Sequence, residues 1–540
     1  MASDEEDFSL SGLTQNTFLA DSVILDDELS IISSILGTEN LDFVWFTSNP
    51  VGYNTLGGVI ETTTSNRRIL EIYSPIFPGY ELREPSSTNP SKNIFPSLTY
   101  YILGVALHRK KDYKSALEMK QKALQIRLKL FGEDHPVIAL SYYSIGVTRF
   151  EMKDHKSALE ADKHALRIRL KLFGEDHADT ALTYNNIGVT QHEIKDYKSA
   201  LNAHQHALQI RLKLYGEYHR DTAETYNNIG GTQYKMENYK PALKSDQHAL
   251  QIRLKLFGEN HSDTARSYYS IGVTQHTMKN YELALKSYQH TLQIRLKLFG
   301  EDHSDTAESY HSMGVTQHEM KDYKSALESH NHALRIRLNL FGEDHPDTVE
   351  SNYECGITQH EMKDYKSALE SRQRVLQIRL KLFGEDHPYT AESYHNIGDT
   401  QHEMKDYKSA LESKQKALRI RLKLFGEDHP DTALTYNNIG VTQYEMKDYK
   451  SALDSSQHAL QISLKVLGEN HYATARSYHI LGVTQNAMKD YEAALDSHQH
   501  ALQIRLKLYG EDHPDTAESY YEIEITQYEM TNLKSESESE

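Results

Sequence analysis

Residues 388–429 read PYTAESYHNIGDTQHEMKDYKSALESKQKALRIRLKLFGEDH, and residues 346–387 are a close copy of the same 42-residue unit. The unit recurs without insertion through most of the chain. In the copy at residues 179–219 the apolar and small residues fall three and four apart: Tyr184, Ile187 and Gly188, then Tyr197, Ala200, Leu201, Ala207, Leu208 and Leu212. That spacing is helical and not strand-like. A break near Lys195 and Asp196 divides the unit into two helices. Gly216 stands where a helix end wants a residue free to take positive φ, and Pro346, Pro388 and Pro430 occupy a first helical position, where a missing N–H is harmless. Pro241 falls in the first turn after Asn238, so it is tolerated where an interior proline would cost about 3 kcal/mol.

Gly188 has an equivalent in each of ten units, from Gly104 to Gly482. Each glycine forfeits about 1 kcal/mol of helix propensity, so close approach of the partner helix is expected there. Ala200 and Ala207 supply the matching small surface, and Met320, Met362 and Met404 are expected to fill irregular gaps near the turn.

Tyr184, Ile187-Gly188, Ala200 and Ala207 together resemble the tetratricopeptide repeat pattern, although 42 residues exceed that repeat's usual length. The stretches Ala333-Leu334-Arg335-Ile336-Arg337 and Gly342 to Val349 resemble the longer variant of kinesin light chains and nephrocystin-type proteins. The resemblance covers roughly residues 96–530. It implies an all-α fold, a right-handed α-solenoid of about ten helix pairs. Gln191 and His204 depart from it, standing where the family puts large aromatic residues, which implies looser or slightly rotated helix packing. An eleventh first helix begins at Pro514 with Glu524 at the glycine position, and reads as a polar C-terminal capping helix.

The expected organisation is an acidic, partly disordered segment of unassigned fold at residues 1–95, the repeat array at 96–533 and an acidic Ser/Glu tail at 534–540. Within the first segment a helix is expected near Asp26 to Ile35, short strands around Phe43 to Phe46, Val59-Ile60 and Arg68 to Tyr73, and a linker at Glu84 to Ser91. The net charge is −18, of which residues 1–95 carry 14 acidic and 4 basic side chains, or −10. An acidic chain without a basic face argues against nucleic-acid partners. Its apolar runs fall far short of the roughly 18 residues of a membrane span. The single cysteine, Cys355, excludes an internal disulfide, so the expected setting is cytoplasmic, with no membrane partner.

The resemblance places a partner-binding groove on the first helices, at three and two residues before each glycine and four after it. The first position holds Asn185, Asn227, His311, Tyr353, His395 and Asn437; the second holds Asn186, Asn228, Asn396 and Asn438. The third holds His192, Tyr234, His276, His318, His360, His402 and Tyr444. Asn both donates and accepts, which suits a peptide backbone, and flat rings add contact area at little rotamer cost. Glu308, Glu350, Glu392, Glu319, Glu361 and Glu403 flank these positions and favour a basic or neutral ligand. His276, His318, His360 and His402 form an expected ladder that would gain charge near pH ~6.5.

Chemistry is not indicated. His204 and His206, two apart on a helix, point away from each other, and Asp196 follows His192-Glu193 where a zinc motif wants a second His. No Gly-rich phosphate loop or nucleophile constellation accompanies Cys355, so no enzyme activity, cofactor or metal is expected. The leading reading is a non-catalytic scaffold or adaptor for proteins or extended peptides. Alternatives are a motor-cargo adaptor of kinesin light chain type, whose heptads are missing from residues 1–95, and the regulatory arm of a signalling protein or enzyme.

Overall fold

The computed structural model describes residues 95–539 and two short strands, β1 (Val59–Glu61) and β2 (Glu81–Arg83), which pair in parallel. β1 falls on the Val59-Ile60 pair. The other elements expected in residues 1–94 lie outside the described residues.

The described chain from residue 95 is helical throughout, in ten pairs and a last single helix. The first unit, residues 1–294, contains α1 (Phe95–Arg109), α2 (Tyr113–Phe131), α3 (Pro136–Glu151), α4 (His155–Phe173), α5 (Ala178–Glu193), α6 (Tyr197–Tyr215), α7 (Arg220–Lys235), α8 (Tyr239–Phe257), α9 (Ser262–Thr277) and most of α10 (Tyr281–Phe299). The second, residues 295–540, contains α11 (Ser304–Glu319), α12 (Tyr323–Phe341), α13 (Pro346–Glu361), α14 (Tyr365–Phe383), α15 (Pro388–Glu403), α16 (Tyr407–Phe425), α17 (Pro430–Glu445), α18 (Tyr449–Leu467), α19 (Tyr472–Ala487), α20 (Tyr491–Tyr509) and α21 (Pro514–Ser539). Within each unit consecutive helices pack on one another, and several successive first helices also touch, as α5 with α7, α7 with α9, α11 with α13, α17 with α19 and α19 with α21. α21 continues through Lys534 and the Ser/Glu stretch, where neither glycine nor proline interrupts it.

The same turn is built in each copy. After α5, Lys195 takes φ 64°, and the Asp196 carboxylate caps α6 by accepting from Ser199 N at 3.2 Å. Gly216 ends α6 at φ 78°. His219 then stacks on Tyr215, ring centres 4.2 Å apart, while its Nδ1 accepts from Asp221 N and caps α7. The histidine of the Gly-x-x-His motif is therefore a helix cap, and the proline that follows it in some copies is the first helical residue. Met320, Met362 and Met404, expected in gaps near the turn, are instead exposed, because each is the C-cap of its first helix and lies beyond the packed faces.

The glycine expectation is met directly. A Cβ on Gly188 would lie 2.6 Å from the ring of His204, and Ala200 and Ala207 are fully buried. His204 fills the space over the glycine, so this pair is tightly packed and not loosened by its polar residue.

Candidate partner-binding surface

The first helices carry the candidate positions, and their neighbours decide what each can do. Eight of them are buried: Asn185, His192, Asn227, Asn228, His311, His395, Asn437 and Asn438. Asn186, Tyr234, His276, His318, Tyr353, His360, Asn396, His402 and Tyr444 are half-buried.

Three of the buried asparagine contacts fasten one repeat to the next, and that of Asn227 ties the two helices of its own pair. Asn228 Nδ2 donates to Asn185 Oδ1 at 3.0 Å, and Asn437 Nδ2 donates to Ser477 Oγ at 2.8 Å. Asn438 Nδ2 lies 3.1 Å from His395 Nε2, while its Oδ1 accepts from Arg476 at 2.8 Å. Asn227 Oδ1 accepts from Arg253 Nη1 at 2.8 Å. The ring position after the glycine behaves likewise. His192 Nδ1 lies 3.2 Å from Thr232 Oγ1, His402 Nδ1 lies 3.3 Å from Thr442 Oγ1, and the Tyr234 hydroxyl lies 2.8 Å from that of Thr277. His276 and His360 stand edge-on to Tyr281 and Tyr365, and His318 and Tyr444 lie tilted against Tyr323 and Tyr449.

Burial disfavours the charged form of five of the candidate histidines. It lowers His192 and His395 to about 4 and His311 to about 3, with Lys235 adding to the effect at His192 and Arg337 at His311. His360 and His402 are also lowered, first by burial. At His360 and His402, two members of the expected ladder, a gain of charge near pH ~6.5 is therefore opposed by the fold itself.

The flanking glutamates need correction. Glu308, Glu350 and Glu392 pair with Arg295, Arg337 and Arg379 at 3.0, 3.0 and 2.9 Å, so their charge is largely answered within the fold and does not select a basic ligand. Glu319, Glu361 and Glu403 are exposed at the ends of their helices.

Two sets of residues carry roles that the sequence reading did not assign, although His204 of the second was noted there as a departure from the family pattern. One is the arginine that closes each Ala-Leu-x-Ile-Arg stretch. Arg169, Arg211, Arg337, Arg379 and Arg505 each donate from Nη1 to a backbone carbonyl and a Ser or Thr hydroxyl of the following first helix. In the ninth unit Ser463 replaces it, and Asn437 supplies the donor to Ser477. The second set lies sixteen residues after each glycine, where Lys120, Asp162, His204, Asp246, Tyr288, His330, Arg372, Lys414, Ser456 and His498 are all buried.

This second set differs from copy to copy in how it is satisfied. Lys120 Nζ donates to Thr148 Oγ1 at 2.9 Å, and Lys414 Nζ pairs with Asp399 at 3.0 Å. His330 has neither ring nitrogen hydrogen-bonded. The Asp162 and Asp246 carboxyls are pushed far up by burial, against a weaker pull from Arg169 and Arg253. The signal was available: a polar residue that changes in every copy of an otherwise repeated helix.

The tetratricopeptide repeat family model matches in ten overlapping stretches: residues 97–171, 149–213, 196–255, 221–297, 275–339, 320–379, 360–423, 404–464, 444–507 and 484–538. No curated protein matches the sequence. The crystal structure of the apo form of RapI is similar at 15% identity and TM-score 0.50, covering 69% of this chain and 98% of RapI. BtubC (BKLC) from P. vanneervenii is similar at 17% identity and TM-score 0.36, over 46% of this chain and 92% of its own. The nearly identical TPR-like repeats assigned to a kinesin light chain of Podosopora anserina align at 18% identity and TM-score 0.35, over 38% and 98%.

Proposed function

The chain belongs to the tetratricopeptide repeat family, and we propose that it is a non-catalytic scaffold or adaptor that holds proteins or extended peptides against the first helices of its array. The observation that carries this reading is the contrast between frame and surface. Glycines, alanines, capping residues and the arginine fasteners recur in nearly every unit, whereas Asn186, Tyr353 and Asn396 stand at positions that change between units on the same helices and stay half-buried, and Tyr234, His318 and His360 stand at one that alternates chiefly between His and Tyr. A regular frame with a varied, partly accessible row supports recognition by many modest contacts along one partner. The acidic net charge supports protein partners over nucleic acid.

The test is affinity capture with the full chain and with an Asn186→Ala, His318→Ala, His360→Ala, Asn396→Ala variant. These four are chosen because Asn228, by contrast, fastens Asn185 and its loss would disturb the frame. Loss of the captured proteins with helicity and melting unchanged supports the reading. Retention of the same proteins refutes it and moves attention to the exposed Leu and Phe side chains that end the second helices, such as Leu382 and Phe383.

A further inference from the structure

Three of the ten second helices carry an arginine two residues before the fastening position, Arg167, Arg335 and Arg419, and Gln stands there in the other seven. Each of the three reaches the glutamate of the loop that precedes its own helix pair. Arg335 Nη2 donates to Glu301 at 3.0 Å, Arg419 lies 3.4 Å from Glu385 and Arg167 lies 3.8 Å from Glu133. The isoleucine that follows is then fully covered, with Ile168, Ile336 and Ile420 all at 0% exposure. Burial and Glu301 raise the Tyr310 hydroxyl and Arg335 draws it back, so this guanidinium answers a carboxylate beside a tyrosine.

Where Gln stands, the same place is open. Glu175, Tyr184, His206, Gln209 and Ile210 line a cavity of about 220 Å³ at the meeting of the α4–α5 loop, α5 and α6. His206 stacks on Tyr184 at 5.1 Å, and Glu175 adds to the rise that burial causes at the Tyr184 hydroxyl. Lys213, which also lines the cavity, pairs with Asp176, and Glu175 has no basic partner among the described residues. Ile210 keeps 6% exposure. The second unit repeats the set at Glu427, Tyr436, His458 and Gln461. There His458 stacks on Tyr436 at 5.3 Å, Lys465 pairs with Asp428 at 2.6 Å and Ile462 is 7% exposed.

We propose that the places at Glu175 and Glu427 each bind an arginine side chain of a partner polypeptide, as the chain's own Arg335 sits on Glu301. The internal occupant states the chemistry: a guanidinium on one carboxylate, with a tyrosine–histidine pair and an isoleucine beside it. Arginine suits this better than lysine, because its planar fork pairs with a carboxylate and packs on rings, whereas an ammonium is a strongly hydrated point charge. An exposed ion pair is weak alone, so the aromatic pair and the isoleucine have to supply the rest of the contact. These loop glutamates differ from Glu308, Glu350 and Glu392, whose charge is answered by Arg295, Arg337 and Arg379. None of the residues named belongs to the first-helix row, so this proposal and the reading of that row can fail separately.

The probe is acetyl-arginine N-methylamide, titrated into the full chain labelled at its isoleucine δ-methyl groups and read by methyl NMR. The expected result is saturable shifts at Ile210 and Ile462 and none at Ile168, Ile336 and Ile420, where the chain's own arginine fills the place. Acetyl-lysine N-methylamide should bind about fivefold more weakly or worse. Glu175→Gln should weaken the response of Ile210 about tenfold and spare that of Ile462, which also reports that the variant is folded. Gln209→Arg, which copies Arg335, should abolish the response at Ile210 alone. No saturable shift at Ile210 and Ile462, equal shifts at all five isoleucines, equal binding of the lysine probe, or indifference of Ile210 to either substitution overturns the proposal. Tighter binding of free arginine than of the blocked residue overturns the polypeptide as the source and gives the cavity to the amino acid.

Discussion

Replacing Arg379 by methionine should open the array at one place. Arg379 Nη1 donates to Ser393 Oγ at 2.9 Å and Tyr389 O at 3.0 Å and meets Glu392 at 2.9 Å, and its guanidinium lies over the Tyr353 ring at 5.1 Å. Methionine keeps the stem's packing but leaves a buried hydroxyl and carbonyl without their donor. Breaking a buried, hydrogen-bonded charge in this way costs about 3–5 kcal/mol. Relief of the guanidinium's own desolvation, and the partial exposure of Glu392, bring the expected net loss to about 3 kcal/mol. In an array of nearest-neighbour contacts that loss belongs to the junction of α14 and α15 and not to the whole chain. It corresponds to roughly a hundredfold faster amide exchange in α15, since each 1.4 kcal/mol is about tenfold. Hydrogen exchange read by mass spectrometry gives the answer peptide by peptide. Ser463→Ala is the comparison: its contact with Ser477 is long, at 3.4 Å, and Asn437 already serves Ser477, so α19 should change little. Unchanged protection in α15, or an equal loss in every helix, would refute the reasoning.

Gly188→Ala should destabilise by about 1–2 kcal/mol despite better helix propensity, because its methyl group meets the buried His204 ring at 2.6 Å. Gly356→Ala, whose nearest neighbour is Arg372 Cγ at 3.2 Å, should be neutral or stabilising by up to about 1 kcal/mol in urea melts. The folded state raises the carboxyl of Asp162, so its favourable contribution exists below the unfolded value of 3.8 and is lost as pH rises toward the folded one. Asp162→Asn should therefore raise Tm at pH ~7, and the gain should shrink toward pH ~4. The buried histidines have the opposite sign. His204, His311 and His330 are lowered to about 3 and His192, His395, His479 and His498 to about 4, so the stability they hold above 6.5 is lost as pH falls from there toward those values. Each contributes a slope of up to ~1.4 kcal/mol per pH unit. His330→Tyr, which copies the buried Tyr288 at the same position of the preceding unit, should make the acid melting profile shallower; an unchanged slope would show that the ring titrates freely.

The helix pairs were legible because periodicity, glycine and proline placement all depend on local backbone geometry, which a repeated sequence displays ten times over. Even the break at Lys195 could be placed, although the sequence did not disclose that a lysine there adopts φ 64°. What could not be read was which side chain meets which across a repeat boundary. Asn185 and Asn228 are 43 residues apart, and only the superposition of successive helices brings them to 3.0 Å. For the same reason Glu392 looked like free surface charge until Arg379 was seen to reach it from the preceding unit. Helical spacing assigns a face to each residue but does not tell a solvated face from one shared with a neighbouring repeat.

The claim that partners lie along the first helices is tested most directly by site-specific photo-crosslinking in the full chain, with benzoylphenylalanine placed singly at His360, Asn396, Phe383 and Phe425. Adducts with a captured protein from positions 360 and 396, and none from 383 and 425, are the predicted result. Adducts only from 383 and 425, at the ends of α14 and α16, would contradict it.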